Sequence, residues 1–126
     1  MSVAYVDTSA LAAVAFGEPG SDEMAHRLNE FARILSSNLL EAELRSAYSR
    51  ERRRFEADRL SRVGWVMPNR PLSQEIAVVL DTGYMRGADL WHMATALYIA
   101  PDPSEISFVT LDKKQHATAS VLGFRT

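Results

Sequence analysis

Four carboxylates stand where chemistry is to be expected: Asp7, Glu43, Asp89 and Asp112. Asp7 closes the apolar run Val3–Val6, and Asp112 follows a second such run, Ser107–Leu111. Glu43 and Asp89 fall inside helical patterns, next to apolar stripes. Acids at the margins of a core imply an anionic pocket in the folded chain, and such a pocket calls for a divalent cation. Oxygen-only ligands favour hard ions such as Mg²⁺ or Mn²⁺ over zinc. A hard cation held by carboxylates acts on phosphates, so the first expectation is a metal-dependent enzyme of phosphate chemistry.

Each acid also has a plainer account. Asp7 is a good N-cap for a helix beginning near Ser9. Asp112 suits a turn or a cap before Lys113, and Asp89 in a first helical turn complements the helix dipole. Glu43 is harder to explain away. Leu40, Leu44 and Ala47 form an apolar stripe, and Glu43 lies three residues after Leu40 and four before Ala47. A carboxylate on such a stripe is costly unless paired or bound to metal. Its rival, Glu41, faces the solvent side of the same wheel. Asp89 lies beside Met93 and Ala96, on the flank of the Leu90, Ala94, Leu97 stripe.

Other chemistries lack their residues. The chain has no Cys, which removes disulfides, thiolate ligands and thiol nucleophiles. His26, His92 and His116 show no paired ligand spacing and read as surface or helix-packing residues. There is no Gly-x-Ser-x-Gly elbow, no Gly-x-Gly-x-x-Gly and no P-loop. The net charge of −2 gives no support to a general nucleic-acid coat. Charge is unevenly spread, however. Arg45, Arg50, Arg52, Arg53, Arg54, Arg59 and Arg62 crowd into one stretch, which suits phosphate contacts. Because Glu51, Glu56 and Asp58 are interleaved with them, a solvated face is the alternative.

The 126 residues fit one domain, 1–126, with room for a core. The elements that must position the acids alternate along it. Strands are expected at Val3–Val6, Ile34–Ser36, Gly64–Met67 and Ser107–Leu111, with a last edge strand at Leu122–Arg125. Helices are expected at Ser9–Phe16, from Ser21 through Ala32, at Leu39–Arg53, Phe55–Val63, from a Ser73 cap to Met85, from Gly87 to Ile99, and at Lys113–Val121. Alternation of this kind predicts an α/β fold, a mostly parallel sheet of about five strands covered on both faces. Ligands collect at the carboxyl ends of such strands, where Asp7 and Asp112 both fall. The N-terminus lacks a basic-then-apolar leader and no run is long enough to span a membrane, so a cytoplasmic protein is expected.

In order along the chain stand Val6-Asp7-Thr8-Ser9, the helical segment from Ser37 to Leu44 with Glu43, Asp89 with His92, Ala94 and Ala96, and Thr110-Leu111-Asp112 leading to Leu122-Gly123. Together these motifs resemble the PIN-domain nucleases, and among them the VapC-type toxins of prokaryotic toxin–antitoxin pairs. The likeness runs over essentially the whole chain. It implies a three-layer α/β/α sandwich with Asp7, Glu43, Asp89 and Asp112 at one edge, holding one or two Mg²⁺ or Mn²⁺ ions. Asp7 and Asp89 are then the direct ligands and Thr110 orients Asp112 or a water. The implied activity is metal-dependent endoribonuclease cleavage of tRNA or rRNA by an activated water, leaving a 5′-phosphate and a 3′-hydroxyl.

The same resemblance implies a small antitoxin as partner and a homodimer, with Met24–Ala32 or Leu39–Tyr48 as the expected apolar surface. Arg50, Arg52 and Arg53 become candidate RNA contacts. Two rivals stand beside this reading. One is a phosphotransfer receiver-like α/β domain with Asp7 or Asp112 as acceptor, although Asp7-Thr8-Ser9 lacks the doubled acid usual there. The other is a non-catalytic PIN-like module that binds RNA or a partner without cutting.

Overall fold

The structure, a computed structural model, describes residues 2–126. In chain order the elements are β1 (Val3–Val6), α1 (Thr8–Phe16), α2 (Ser21–Asn29), β2 (Arg33–Ser37), α3 (Leu39–Arg50), β3 (Val63–Val66), α4 (Ser73–Leu80), α5 (Gly87–Ile99), β4 (Ser107–Val109) and α6 (Lys113–Leu122). The four strands form one sheet in the order β3-β2-β1-β4, and all pairings are parallel. Parallel neighbours need helical crossovers, which is why every strand is followed by a helix and both faces are covered.

β1 shows how the layers are set. Its side chains alternate, so Ala4 and Val6 enter a core with Ala10, Met24, Leu28, Ile34 and Leu40. Tyr5 points the other way, into a core with Val79, Met93, Phe108 and Phe124. There Tyr5 and Phe108 stack with ring centres 5.3 Å apart. The result is the expected three-layer α/β/α sandwich. Met24, Leu28 and Leu40 are buried in the Val6 core, and Leu44 and Tyr48 in a smaller third cluster with Ala15.

Several boundaries differ from expectation, each for a local reason. The fifth strand, Leu122–Arg125, reduces to a single bridge between Ser107 and Arg125. Leu122 still belongs to α6, and Gly123, at φ 102°, ends the helix in the left-handed region before the chain can extend. α3 stops at Arg50 rather than Arg53 because Arg52 adopts φ 54°. The Arg53 N–H then turns back to the Tyr48 carbonyl at 2.9 Å, the bonding of a left-handed helix stop. The helix expected at Phe55–Val63 is only a 3₁₀ turn, Ala57–Leu60. Phe55 folds back edge-on to Tyr48, 5.2 Å away, under the Arg45 guanidinium, which pulls the segment off a helical path.

α4 ends at Leu80, not Met85, where Thr82 and Gly83 turn back on Val79 and Leu80. Ser73 is its first residue and makes no side-chain cap. β4 is shorter than Ser107–Leu111 because Thr110 leaves the strand to serve the site described next. Among the described residues, no helix is long and apolar enough to cross a membrane.

Candidate active site

Asp7 leaves β1 at its carboxyl end and caps α1, accepting from the Ala10 N–H at 3.3 Å. The plain reading of Asp7 as a cap is therefore true, yet the cap uses only part of it. Its carboxylate is 3% exposed and also accepts from the Ser9 hydroxyl at 2.8 Å and from Thr110 at 2.8 Å. The proton directions follow from counting. Ser9 Oγ accepts from the Leu111 N–H and Thr110 Oγ1 accepts from the Asp112 N–H, each at 2.9 Å, so the single hydroxyl proton of each is free to face Asp7. The exit of β4 is thus clasped to the first turn of α1 through one carboxylate.

Burial raises the Asp7 pKa above the ordinary carboxylate range, and the Ser9 and Thr110 hydrogen bonds offset only part of that. Among the described residues no Lys or Arg pairs with it. An acid so placed is costly to ionise until a cation arrives.

The other three acids stand on neighbouring helices, α3, α5 and the start of α6. Asp112 caps α6, accepting from the Gln115 N–H at 2.9 Å. Asp89, in the first turn of α5, accepts from the Gln115 side-chain amide at 2.8 Å and pairs with Arg86 at 3.2 Å. Gln115 therefore serves both acids, one with its backbone and one with its side chain. Glu43 faces inward from α3: Thr8 and His92 both reach its Oε1, at 2.8 and 2.7 Å. Burial works to raise its pKa, but the His92 and Thr8 hydrogen bonds outweigh it and the net shift is downward. Glu41 turns the other way and binds Arg45 at 2.7 Å on the exposed side of α3. Thr110 donates its hydroxyl to Asp7 and accepts from the Asp112 N–H, so the carboxylate it orients is that of Asp7.

His92 and Gln115 are the residues that sequence reasoning passed over. His92 was read as a surface or packing residue; it is buried, and its two nitrogens join Tyr5 to Glu43. Gln115 was given no role. The signal available for His92 was its place three residues after Asp89 on a helix, which puts both on adjoining faces.

Across residues 4–121 the sequence matches the PIN domain family. The chain belongs to that family. Among curated proteins, none matches it. A PIN domain is a nuclease-type fold whose members are generally hydrolases, which accords with acids gathered at the carboxyl edge of the sheet in this one.

Whether a divalent cation suits this PIN domain turns on the donor set. Among the described residues, no three His, Asp or Glu side chains already converge at metal-binding distance. The donors are nonetheless all carboxylate oxygens, and the most buried of them lacks a cationic partner. Mg²⁺ keeps several waters and binds through one or two carboxylates plus substrate phosphates, so it does not need a closed protein cage. The residues fit that ion.

The arginines expected to grip RNA are exposed but sit elsewhere. Arg50 to Arg54 follow the far end of α3, about 10 Å along the helix axis from Glu43 at a rise of ~1.5 Å per residue. Arg53 lies 5.1 Å from the Phe16 ring centre, and Arg62 is tied to the Leu28 and Phe31 carbonyls. Closer to the acids are Arg86, Lys113 and Lys114, at the starts of α5 and α6. Lys114 lies 4.6 Å from the centre of the exposed Tyr84 ring.

Proposed function

We propose that this PIN domain is a Mg²⁺-dependent endoribonuclease and the toxin of a type II toxin–antitoxin pair. The observation that carries the reading is Asp7: a buried carboxylate, fed only by neutral donors, at the sheet edge where Glu43, Asp89 and Asp112 also emerge. Asp7 and Asp89 would be the direct metal ligands, with Glu43 and Asp112 in support. When bound, the divalent ion acidifies a water for attack on phosphorus and neutralises the leaving oxygen. Thr110 and Ser9 hold the Asp7 carboxylate in one orientation. Gln115 does the same for Asp89, and Thr8 with His92 for Glu43. Fixing these groups in advance spares the reaction their reorganisation.

RNA as substrate rests on the motifs and on the cations near the acids. Arg86, Lys113 and Lys114 would meet phosphates flanking the scissile one, and Arg50, Arg52 and Arg53 would meet a strand running on along α3. A structured RNA such as tRNA or an rRNA loop is long enough to reach both. A small antitoxin that covers the acids, and a second copy of the chain, complete the proposed assembly.

The test is inducible expression of the wild type beside Asp7→Ala, with 5′-end mapping of cellular RNA. Growth arrest and new 5′-phosphate ends are expected from the wild type alone. Equal arrest from both chains would overturn the mechanism.

A further inference from the structure

The buried chain Ser37–Tyr5–His92–Glu43 has a direction. The Ser37 N–H donates to the Tyr5 hydroxyl oxygen at 3.1 Å, so the single phenolic proton is left for His92 Nδ1, 2.7 Å away. Nδ1 is then an acceptor, and the ring proton must sit on Nε2, which lies 2.7 Å from Glu43 Oε1. A carboxylate can only accept there, so the two ends of the imidazole demand the same tautomer. Ser37 Oγ, 3.3 Å from Nδ1, already takes the Leu39 N–H. Burial holds the Tyr5 pKa far above its usual range, which keeps it a phenol with a proton to give.

At the receiving end the arrangement is one-sided. Oε1 of Glu43 accepts from both His92 and Thr8, while Oε2 has no protein donor among the described residues. A glutamate side chain has three rotatable bonds, and fixing it costs rotamer entropy. Here two donors from α1 and α5 fix it before any ligand binds.

We propose that His92 is a positioning residue which, in the Nε2–H tautomer that Tyr5 and Glu43 both favour, tethers one oxygen of Glu43 and leaves the other as the oxygen offered to the site. The tether also separates the two α3 acids: Glu43 bonds the imidazole on α5, while Glu41 bonds Arg45 on the exposed side. The inference deepens the nuclease reading and rests on Glu43 belonging to that site.

The first experiment does not depend on activity. In metal-free, ¹⁵N-labelled protein, long-range ¹H–¹⁵N correlation of the imidazoles should show His92 with a protonated Nε2 and a bare Nδ1. Tyr5→Phe removes the donor to Nδ1 but leaves Glu43 on Nε2, so His92 should keep the Nε2–H tautomer. A wild-type His92 protonated at Nδ1 overturns the proposal. The second experiment measures Mn²⁺ affinity and RNA cleavage for His92→Gln, whose amide can still donate to Glu43, and for His92→Leu. A loss of roughly 10–100-fold is expected for Leu, in Mn²⁺ affinity or in kcat at unchanged KM, with most of it recovered by Gln. Wild-type affinity and kcat in a folded His92→Leu chain overturn the tether. If the wild type binds no Mn²⁺ and cuts no RNA, the nuclease reading fails, while the tautomer spectrum still decides how His92 holds Glu43.

Discussion

Gln115 donates its side-chain amide to Asp89 across 2.8 Å, from α6 to the first turn of α5. Its own Oε1 is buried and without a hydrogen-bond partner among the described residues. A buried orphan carbonyl of this kind costs about 1–3 kcal/mol. The residue is thus spent on orientation at some expense of stability.

Replacing it tests that balance. Gln115→Leu removes one charge-assisted hydrogen bond and one orphan together, so unfolding in urea should shift by no more than about 1 kcal/mol. RNA cleavage should fall roughly 10–100-fold, as Asp89 loses its partner and stays with Arg86 alone. A stability loss above about 3 kcal/mol, with activity intact, would contradict the positioning role.

Asp7 carries the opposite trade. Its folded-state pKa is raised, so its bound proton stabilises the fold. That stabilisation is complete below the unfolded value near ~3.9 and is lost as pH rises through the folded value. At neutral pH in EDTA, Asp7→Asn should therefore melt above the wild type, by about 3–6 °C for each ~1 kcal/mol relieved. The difference should close below about pH 4, and cleavage should be abolished. A variant that melts lower at pH 7 would show that the Asp7 charge is not a burden on the fold.

Thr110 is held to account by an isostere. Thr110→Val deprives Asp7 of a donor and leaves the Asp112 N–H without its acceptor. A cost of about 1–3 kcal/mol is expected in chemical denaturation, with a loss of activity. Thr110→Ser keeps the hydroxyl and should stay within about 1 kcal/mol of the wild type. Equal behaviour of Val and Ser would remove the hydroxyl from the account.

Arg52 joins two properties in one side chain. It is the one described non-glycine residue with positive φ, and it ends α3. Arg52→Gly should raise stability by about 0.5–1 kcal/mol by relieving that strain. If the same side chain meets phosphate, RNA affinity should drop and the slope of log K against log salt should become shallower by about 1. An unchanged slope, also after charge reversal of Arg52 and Arg53, rejects the phosphate contact.

The layered α/β architecture was legible because apolar runs, turn glycines and helix starts are local signals. Val3–Val6 ending at Asp7 already implies a strand, an edge and a cap. Helical period turned Glu43 toward the apolar stripe and Glu41 away from it, and the side chains face those ways, but period alone left Glu41 as a rival for the site. What escaped was set by distance in the chain. His92 draws its partners from β1, β2 and α3, and nothing within a few residues of it records Tyr5 or Ser37. Gln115 looks like any polar residue in a first turn until α5 is packed against α6. The Phe55–Val63 segment misled for the same reason: Tyr48 and Arg45 capture Phe55 from outside the window in which periodicity is read.

The central place of β1 has a further consequence, in time rather than in space. β1 takes its neighbour β4 from the far end of the chain, and the Thr110 to Asp7 hydrogen bond joins residues 103 apart in sequence. Pairings so distant are the slow ones to form. No shorter stretch of chain unites Asp7 with Thr110 and Asp112. This edge of the sheet is therefore complete only when nearly the whole chain is in place.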